Sequence, residues 1–289
     1  MNLDDFGMDT ITLAGPLEAK LRAIKTGGFT HVMLNATDIV GHPDGEPAAI
    51  AAVRKSGLRV TGFQVLRDFE GLSGHLHAYK VDIAKSMLEM CDALGSRVLL
   101  ACSSSSQHAT GDNDVLVRDL RKLAMLALPL NIRVAYEALS WGRHVNLLTQ
   151  AWEIVQEADR SNLGLCIDSY HAIANGGEIA AAKDIDPEKI FLVQLSDFLW
   201  QETRSPQDRM ETARHYRVFP GEGVHSDQVF ELVRILDGNG YRGDYSFEVF
   251  NDDYRQIPLG TVAQRARRSV KEIANRIGRR TLPQRRSTG

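Results

Sequence analysis

What this chain lacks narrows the field first. Its 289 residues hold only three cysteines, Cys91, Cys102 and Cys166, with no Cys-x-x-Cys pair. An odd count argues against a full disulfide framework, and thiols within or beside apolar runs are usually buried and inert, as in a reducing cytosol. The 37 acidic and 34 basic residues leave a net charge of -3, so nothing electrostatic calls for a nucleic acid or an anionic membrane as partner. Nowhere do 18 uncharged apolar residues run together, which leaves no transmembrane helix to read. The opening MNLDDFGMDT has neither a basic n-region nor an apolar h-region. No secretory signal is visible there, and the cytoplasm is the expected compartment. A GxGxxG after the first strand-like run is also missing, which counts against a dinucleotide-binding doubly wound sheet.

What is present is a persistent alternation of short β-like runs with longer helical ones. The strand-like runs are Phe6–Thr10, His31–Leu34, Arg59–Gln64, Arg97–Ala101, Arg133–Tyr136, Gly164–Ile167, Ile190–Leu195 and Asp244–Val249. Between them lie helical stretches, with Pro16 near the start of the first and Gly27–Gly28 just past its end. Parallel strands need crossover connections, so eight strand–helix repeats with few hairpin signals predict an α/β fold, a single (β/α)8 TIM barrel. Barrels of this kind run to about 250 residues. We therefore expect one barrel over residues 1–278 and a basic, disordered tail at 279–289. Residues 198–223 break the rhythm and read as a long functional loop.

Chemistry in such a barrel sits where the strands end. Glu137, Asp168, Gln194 and Glu248 stand at that point on four consecutive predicted strands, separated by 31, 26 and 54 residues. The first two separations are one strand–helix unit, and the third is one unit plus the long loop. Three carboxylates in one cleft repel unless a cation neutralises them. Carboxylate and amide oxygens are hard ligands, which selects Mg²⁺ or Mn²⁺ ahead of Co²⁺ or Zn²⁺. Near the same mouth fall Arg67 and Glu70 after the third strand, His144 after the fifth, His171 after the sixth, and Arg217 on the long loop. Alone, each of the four strand-end residues reads better as a polar cap satisfied by a local hydrogen bond. It is the common register that favours a metal.

These segments resemble the xylose-isomerase-like barrel superfamily, and within it the 3-dehydroshikimate dehydratases. The stretches that carry the likeness are RDFEG at 67–71, YEALSWGRHVN at 136–146, IDSYH at 167–171, VQLSD at 193–197, RHYRVFPGEG at 214–223 and SFEVFN around Glu248. They span the third to eighth strands. The resemblance implies metal ligation by Glu137, Asp168, Gln194 and Glu248. It also implies acid–base roles for His144, His171 and Glu70, and substrate binding by Arg67 and Arg217. It implies a metal-dependent lyase (hydro-lyase) removing a proton α to a carbonyl and a β-hydroxyl, taking 3-dehydroshikimate to protocatechuate. The alternative is a sugar phosphate or keto-sugar isomerase/epimerase with the same apparatus, and the more distant one a non-catalytic ligand-binding barrel. The small-molecule substrate would be a polyhydroxylated keto acid or keto-sugar, and several arginines favour the acid. Two departures bear on the substrate. The second strand carries Val32-Met33-Leu34-Asn35-Ala36 where acidic residues are common, and no second, dioxygenase-like domain follows the barrel. A homo-oligomer is compatible with an apolar stripe on an outer helix, but a barrel helix turns such a stripe to its strands in any case.

Overall fold

A computed structural model describes Met1, residues 3–176 and residues 178–278 of the chain. The tail expected at 279–289 lies outside the described residues. The strands are β1 (Phe6–Asp9), β2 (His31–Asn35), β3 (Arg59–Arg67), β4 (Val98–Cys102), β5 (Arg133–Glu137), β6 (Leu163–Asp168), β7 (Ile190–Leu195), β8 (Asp197–Phe198), β9 (Arg217–Val218) and β10 (Tyr245–Phe247). The helices are α1 (Leu17–Thr26), α2 (Ala36–Val40), α3 (Glu46–Ser56), α4 (Gly74–Ala93), α5 (Asn113–Ala127), α6 (Leu148–Ala158), α7 (Ser169–Ala174), α8 (Pro206–His215), α9 (Ser226–Gly238) and α10 (Leu259–Ile277). Eight parallel strands close in the order β1-β10-β7-β6-β5-β4-β3-β2, and β8 and β9 form a separate hairpin. The expected barrel is the observed fold.

The sequence explains the closure. Strands such as β4 and β7 are buried at every position, as they must be when helices cover one face and the barrel interior lies on the other. Inside, Met33, Leu100, Cys102, Ala135, Cys166 and Leu192 pack together, and the larger apolar core lies between the strands and the helices. Alternation then assigns sides. Ala135 and Glu137 face the interior of β5, whereas Tyr136 joins the outer core. Helix ends follow local chemistry: Asp112 caps α5 by accepting from the Asp114 N–H at 3.0 Å, and Gly57 closes α3 in the left-handed conformation.

The segment expected as one long loop is ordered into β8, α8 and β9. Its helix begins with a reciprocal cap: the Ser205 hydroxyl accepts from Asp208 N–H and the Asp208 carboxylate accepts from Ser205 N–H, both at 3.0 Å. Pro206 occupies the first turn. Among the described residues no helix is long and apolar enough to cross a membrane.

Candidate metal centre

Register carries the four strand-end residues to one rim. Cys102 pairs with Glu137, and Gln194 pairs with both Asp168 and Ser246. Glu248 follows two residues beyond Ser246, its N–H donating to the Leu195 carbonyl at 3.2 Å. All four side chains are buried. Ligand atoms of Glu137, Asp168 and His171 lie within 4.8 Å of one another, a group able to hold a metal ion. Arg217 reaches into the same cluster. Its Nη1 donates to Asp168 Oδ2 at 2.6 Å and Glu248 Oε2 at 3.1 Å, and its guanidinium stacks over the Tyr170 ring at 4.5 Å.

Gln194 is turned deeper. Its Nε2 donates to Asp9 Oδ2 at 2.8 Å, and its Oε1 accepts the Cys166 thiol at 3.3 Å. Asp9, at the end of β1, also takes Gln64 Nε2 at 3.2 Å and the Ser246 hydroxyl. It is a fourth buried carboxylate of the cluster, and the sequence reading passed over it. The signal was there: Phe-Gly-Met-Asp ends in a carboxylate just as Leu-Cys-Ile-Asp does.

The electrostatics are those of too much buried negative charge. Burial, then repulsion from Asp168, pushes Glu137 up to about 8. Burial pushes Asp9 up to about 7 and raises Glu248 well above the usual carboxylate range. Asp168 goes the other way. Burial works against its ionised form, but Arg217, His171 and the Tyr170 N–H outweigh it and hold the carboxyl below its ordinary value. Part of the local-cap reading of Asp168 is therefore right, since its Oδ1 accepts from Tyr170 N–H at 2.7 Å and starts α7. Among the described residues Arg217 pairs with only two of these four carboxylates, Asp168 and Glu248, and Glu137 Oε1 is buried with no hydrogen-bond partner. An orphaned acceptor amid surplus negative charge fits a divalent cation.

The other expected residues divide. His171 is in the cluster, its Nε2 3.4 Å from Arg217 Nη2 and 3.8 Å from Asp168 Oδ2. Its Nδ1 accepts from Ser140 N–H at 3.1 Å, and burial pushes the ring down to about 3. A neutral imidazole accepting at Nδ1 carries its proton on Nε2, so His171 faces the cluster as a donor. His144 sits apart on an exposed loop. Its Nε2 lies 2.9 Å from the Ala109 carbonyl, which makes Nε2 the donor and leaves the Nδ1 lone pair. Glu70 is also apart, on the helix side of β5. Its Oε1 accepts from Ser104 N–H at 2.6 Å and from the Tyr136 hydroxyl at 3.0 Å. Burial pushes it up to about 7, and its Oε2 has no partner. Arg67 ends β3 opposite Cys102 with its side chain exposed, close enough for its charge to act on that thiol.

The hairpin segment roofs this rim. The Tyr170 hydroxyl donates to the Arg209 carbonyl at 2.5 Å, and Arg209 Nε donates to the Ser140 carbonyl at 2.8 Å. Asn251 Nδ2 holds the Arg217 carbonyl at 2.8 Å. α8 and β9 are thus tied to the loops after β5, β6 and β10.

Comparison with known proteins agrees with the barrel fold. A protein of Pseudomonas aeruginosa named 3-dehydroshikimate dehydratase is 37% identical over 265 residues, covering 90% of this chain and 40% of that protein. This chain therefore spans about 40% of that relative's length. An inosose isomerase of Halalkalibacterium halodurans is 28% identical over 204 residues, 66% of this chain and 67% of the isomerase. The solved structure of the IOLI protein with a binding zinc atom superposes with a TM-score of 0.81 at 21% identity, covering 95% of this chain and 99% of that one. The model of the xylose isomerase-like TIM barrel family matches residues 21–273, and this chain belongs to that family.

Proposed function

We propose that this protein is a divalent-metal-dependent hydro-lyase that dehydrates 3-dehydroshikimate to protocatechuate. The observation that carries the reading is the buried set Asp9, Glu137, Asp168 and Glu248 around a single guanidinium, with one Glu137 oxygen unsatisfied. The likeness to the Pseudomonas dehydratase over nine-tenths of this chain narrows the substrate. Glu137, Asp168, Gln194 and Glu248 would hold Mg²⁺ or Mn²⁺, with His171 beside Asp168. Such a cation supplies Lewis-acid polarisation of the substrate ketone and its neighbouring hydroxyl.

The protein's own groups then have distinct tasks. Arg67, exposed at the mouth, grips the substrate carboxylate, while Arg217 stays committed to Asp168 and Glu248. His144 would take the proton α to the ketone on Nδ1, the nitrogen that the Ala109 carbonyl does not engage. The departing β-hydroxyl takes the proton that His144 has removed and leaves as water, while the neutral His171, protonated on Nε2, would hydrogen-bond to it. The ring then enolises to the aromatic product. Glu70 positions the loop after β4 through Ser104.

The test is to incubate Mn²⁺-loaded protein with 3-dehydroshikimate and follow the ultraviolet absorbance of an aromatic product. A second reading is isomerisation of a cyclic keto-polyol, favoured by the similarity to the inosose isomerase. The same groups would remove and return a proton without losing water. No aromatic product, together with turnover of such a keto-polyol, would replace the first reading by the second.

A further inference from the structure

The opposite end of the barrel, where the strands begin, carries a cavity of about 600 Å³. Its wall presents four arginines, Arg59, Arg97, Arg133 and Arg242, against two carboxylates, Glu188 and Asp244. Three of the arginines have acidic partners. Arg59 forms a two-pronged pair with Asp244 at 2.8 and 2.6 Å, Arg97 meets Asp92 at 3.4 Å, and Arg242 meets Asp237 at 3.2 Å. Arg133 has none: among the described residues no carboxylate lies within ion-pair distance of it. Its half-buried guanidinium lies instead over the Phe191 ring at 4.6 Å. In the same wall Arg242 keeps a buried Nε donor with no partner.

Barrel packing does not explain these charges. The matching first residues of β6 and β7 are Leu163 and Ile190, both buried and apolar. Burial also acts against the charge on Arg133, pulling it below the usual arginine range, and the carboxylates of Asp244 and Glu188 only partly offset this. A guanidinium held over an aromatic ring can still offer its N–H donors to a planar or tetrahedral oxyanion. The volume suits a small organic molecule rather than a single inorganic ion.

We propose that this cavity binds a small polyanion bearing two or more phosphate or carboxylate groups. Arg133, stacked on Phe191, is its central contact, with Arg97 and Arg242 as flanking donors. The cavity shares no residue with the metal centre and has the opposite sign of charge, so its occupancy does not depend on the activity proposed above.

The experiment is isothermal titration of the metal-free chain with pyrophosphate and, separately, citrate, with ionic strength matched by sodium chloride. The expected result is saturable one-to-one binding of at least one anion, weakened at least about tenfold in Arg133→Met. The two arms separate a phosphate preference from a carboxylate preference. Asn131→Asp is the second variant. Asn131 lies in the cavity wall at φ 53°, a conformation Asp also adopts, so the change adds a negative charge without disturbing the backbone. It should weaken binding by about threefold or more. No saturable binding of either anion overturns the proposal, as does binding that persists unchanged in both variants. If melting curves show that Arg133→Met is unfolded, Asn131→Asp decides alone.

Discussion

Arg217→Met tests the charge balance at the mouth most directly. The guanidinium makes two buried contacts, 2.6 Å to Asp168 and 3.1 Å to Glu248, and the three side chains are 2%, 0% and 7% exposed. Removing one partner of such a set leaves uncompensated carboxylates, a change that costs about 3–5 kcal/mol. For a chain of this size that corresponds to a fall in melting temperature of about 6–15 °C. The sign with pH follows from Asp168. With Arg217 present its folded value lies below the ordinary one, so the pair stabilises above the unfolded pKa and that stability is lost in acid. Without Arg217, burial is opposed only by His171 and the Tyr170 N–H, so the folded value should rise and stability should be lost as pH rises instead. The variant should therefore melt much lower than wild type at about pH 8 in chelator, and the gap should narrow at about pH 5. Saturating Mn²⁺ should raise the variant's melting temperature more than the wild type's, because only the variant has lost its resident cation. Thermal unfolding followed by circular dichroism reads all of this. A drop under about 2 °C at pH 8, or an equal drop at both pH values, would refute the account.

Three further outcomes are expected. Glu137→Gln should weaken Mn²⁺ binding at least about a hundredfold, measured by titration calorimetry, because it removes the charge of a cluster carboxylate whose Oε1 is buried and unsatisfied. His144→Ala should lower kcat by about 10²–10⁴-fold while leaving Mn²⁺ affinity as in wild type, since it touches none of the cluster carboxylates. Glu70 is raised to about 7, so its folded form holds a proton the unfolded chain gives up near 4.5, and stability is lost as pH rises through that window. Glu70→Gln keeps the acceptor for Ser104 and Tyr136. It should become more stable relative to wild type between about pH 5 and pH 8, by roughly 1–3 kcal/mol in denaturant titrations. A difference that does not change with pH would show that Glu70 ionises normally.

Strand ends were legible because period-two alternation and apolar runs mark where each strand stops, and barrel geometry then supplies the rim. Glu137, Asp168 and Glu248 could be placed on that argument alone. Asp9 escaped because the first run read as ending at Thr10, a one-residue shift that hid the pattern it shares with β6. α8 was also readable, since Ser205-Pro206-Gln207-Asp208 is a cap, first-turn proline and reciprocal acid in order. Its neighbours β8 and β9 were not, being two residues each. No sequence rule could place the Arg217 guanidinium between Asp168 and Glu248, because that contact depends on how the hairpin folds back over the rim. The same holds for His144 and Glu70, whose side chains are directed by loop contacts with Ala109 and Ser104.

The seam between β1 and β10 has a consequence for how the chain matures. The Asp9–Ser246 contact joins positions 237 apart in sequence, and Thr12 bridges the same gap to Phe247 and Val249. Asp9 in turn holds Gln194. Contacts at such separation form only after the entropy of closing nearly the whole chain into a loop has been overcome. A nascent chain still lacking its last strand can have seven of the eight barrel strands and most of its helices, yet no finished acidic rim. Tight metal capture should thus be the last property acquired during refolding, reporting that the two ends of the barrel have met.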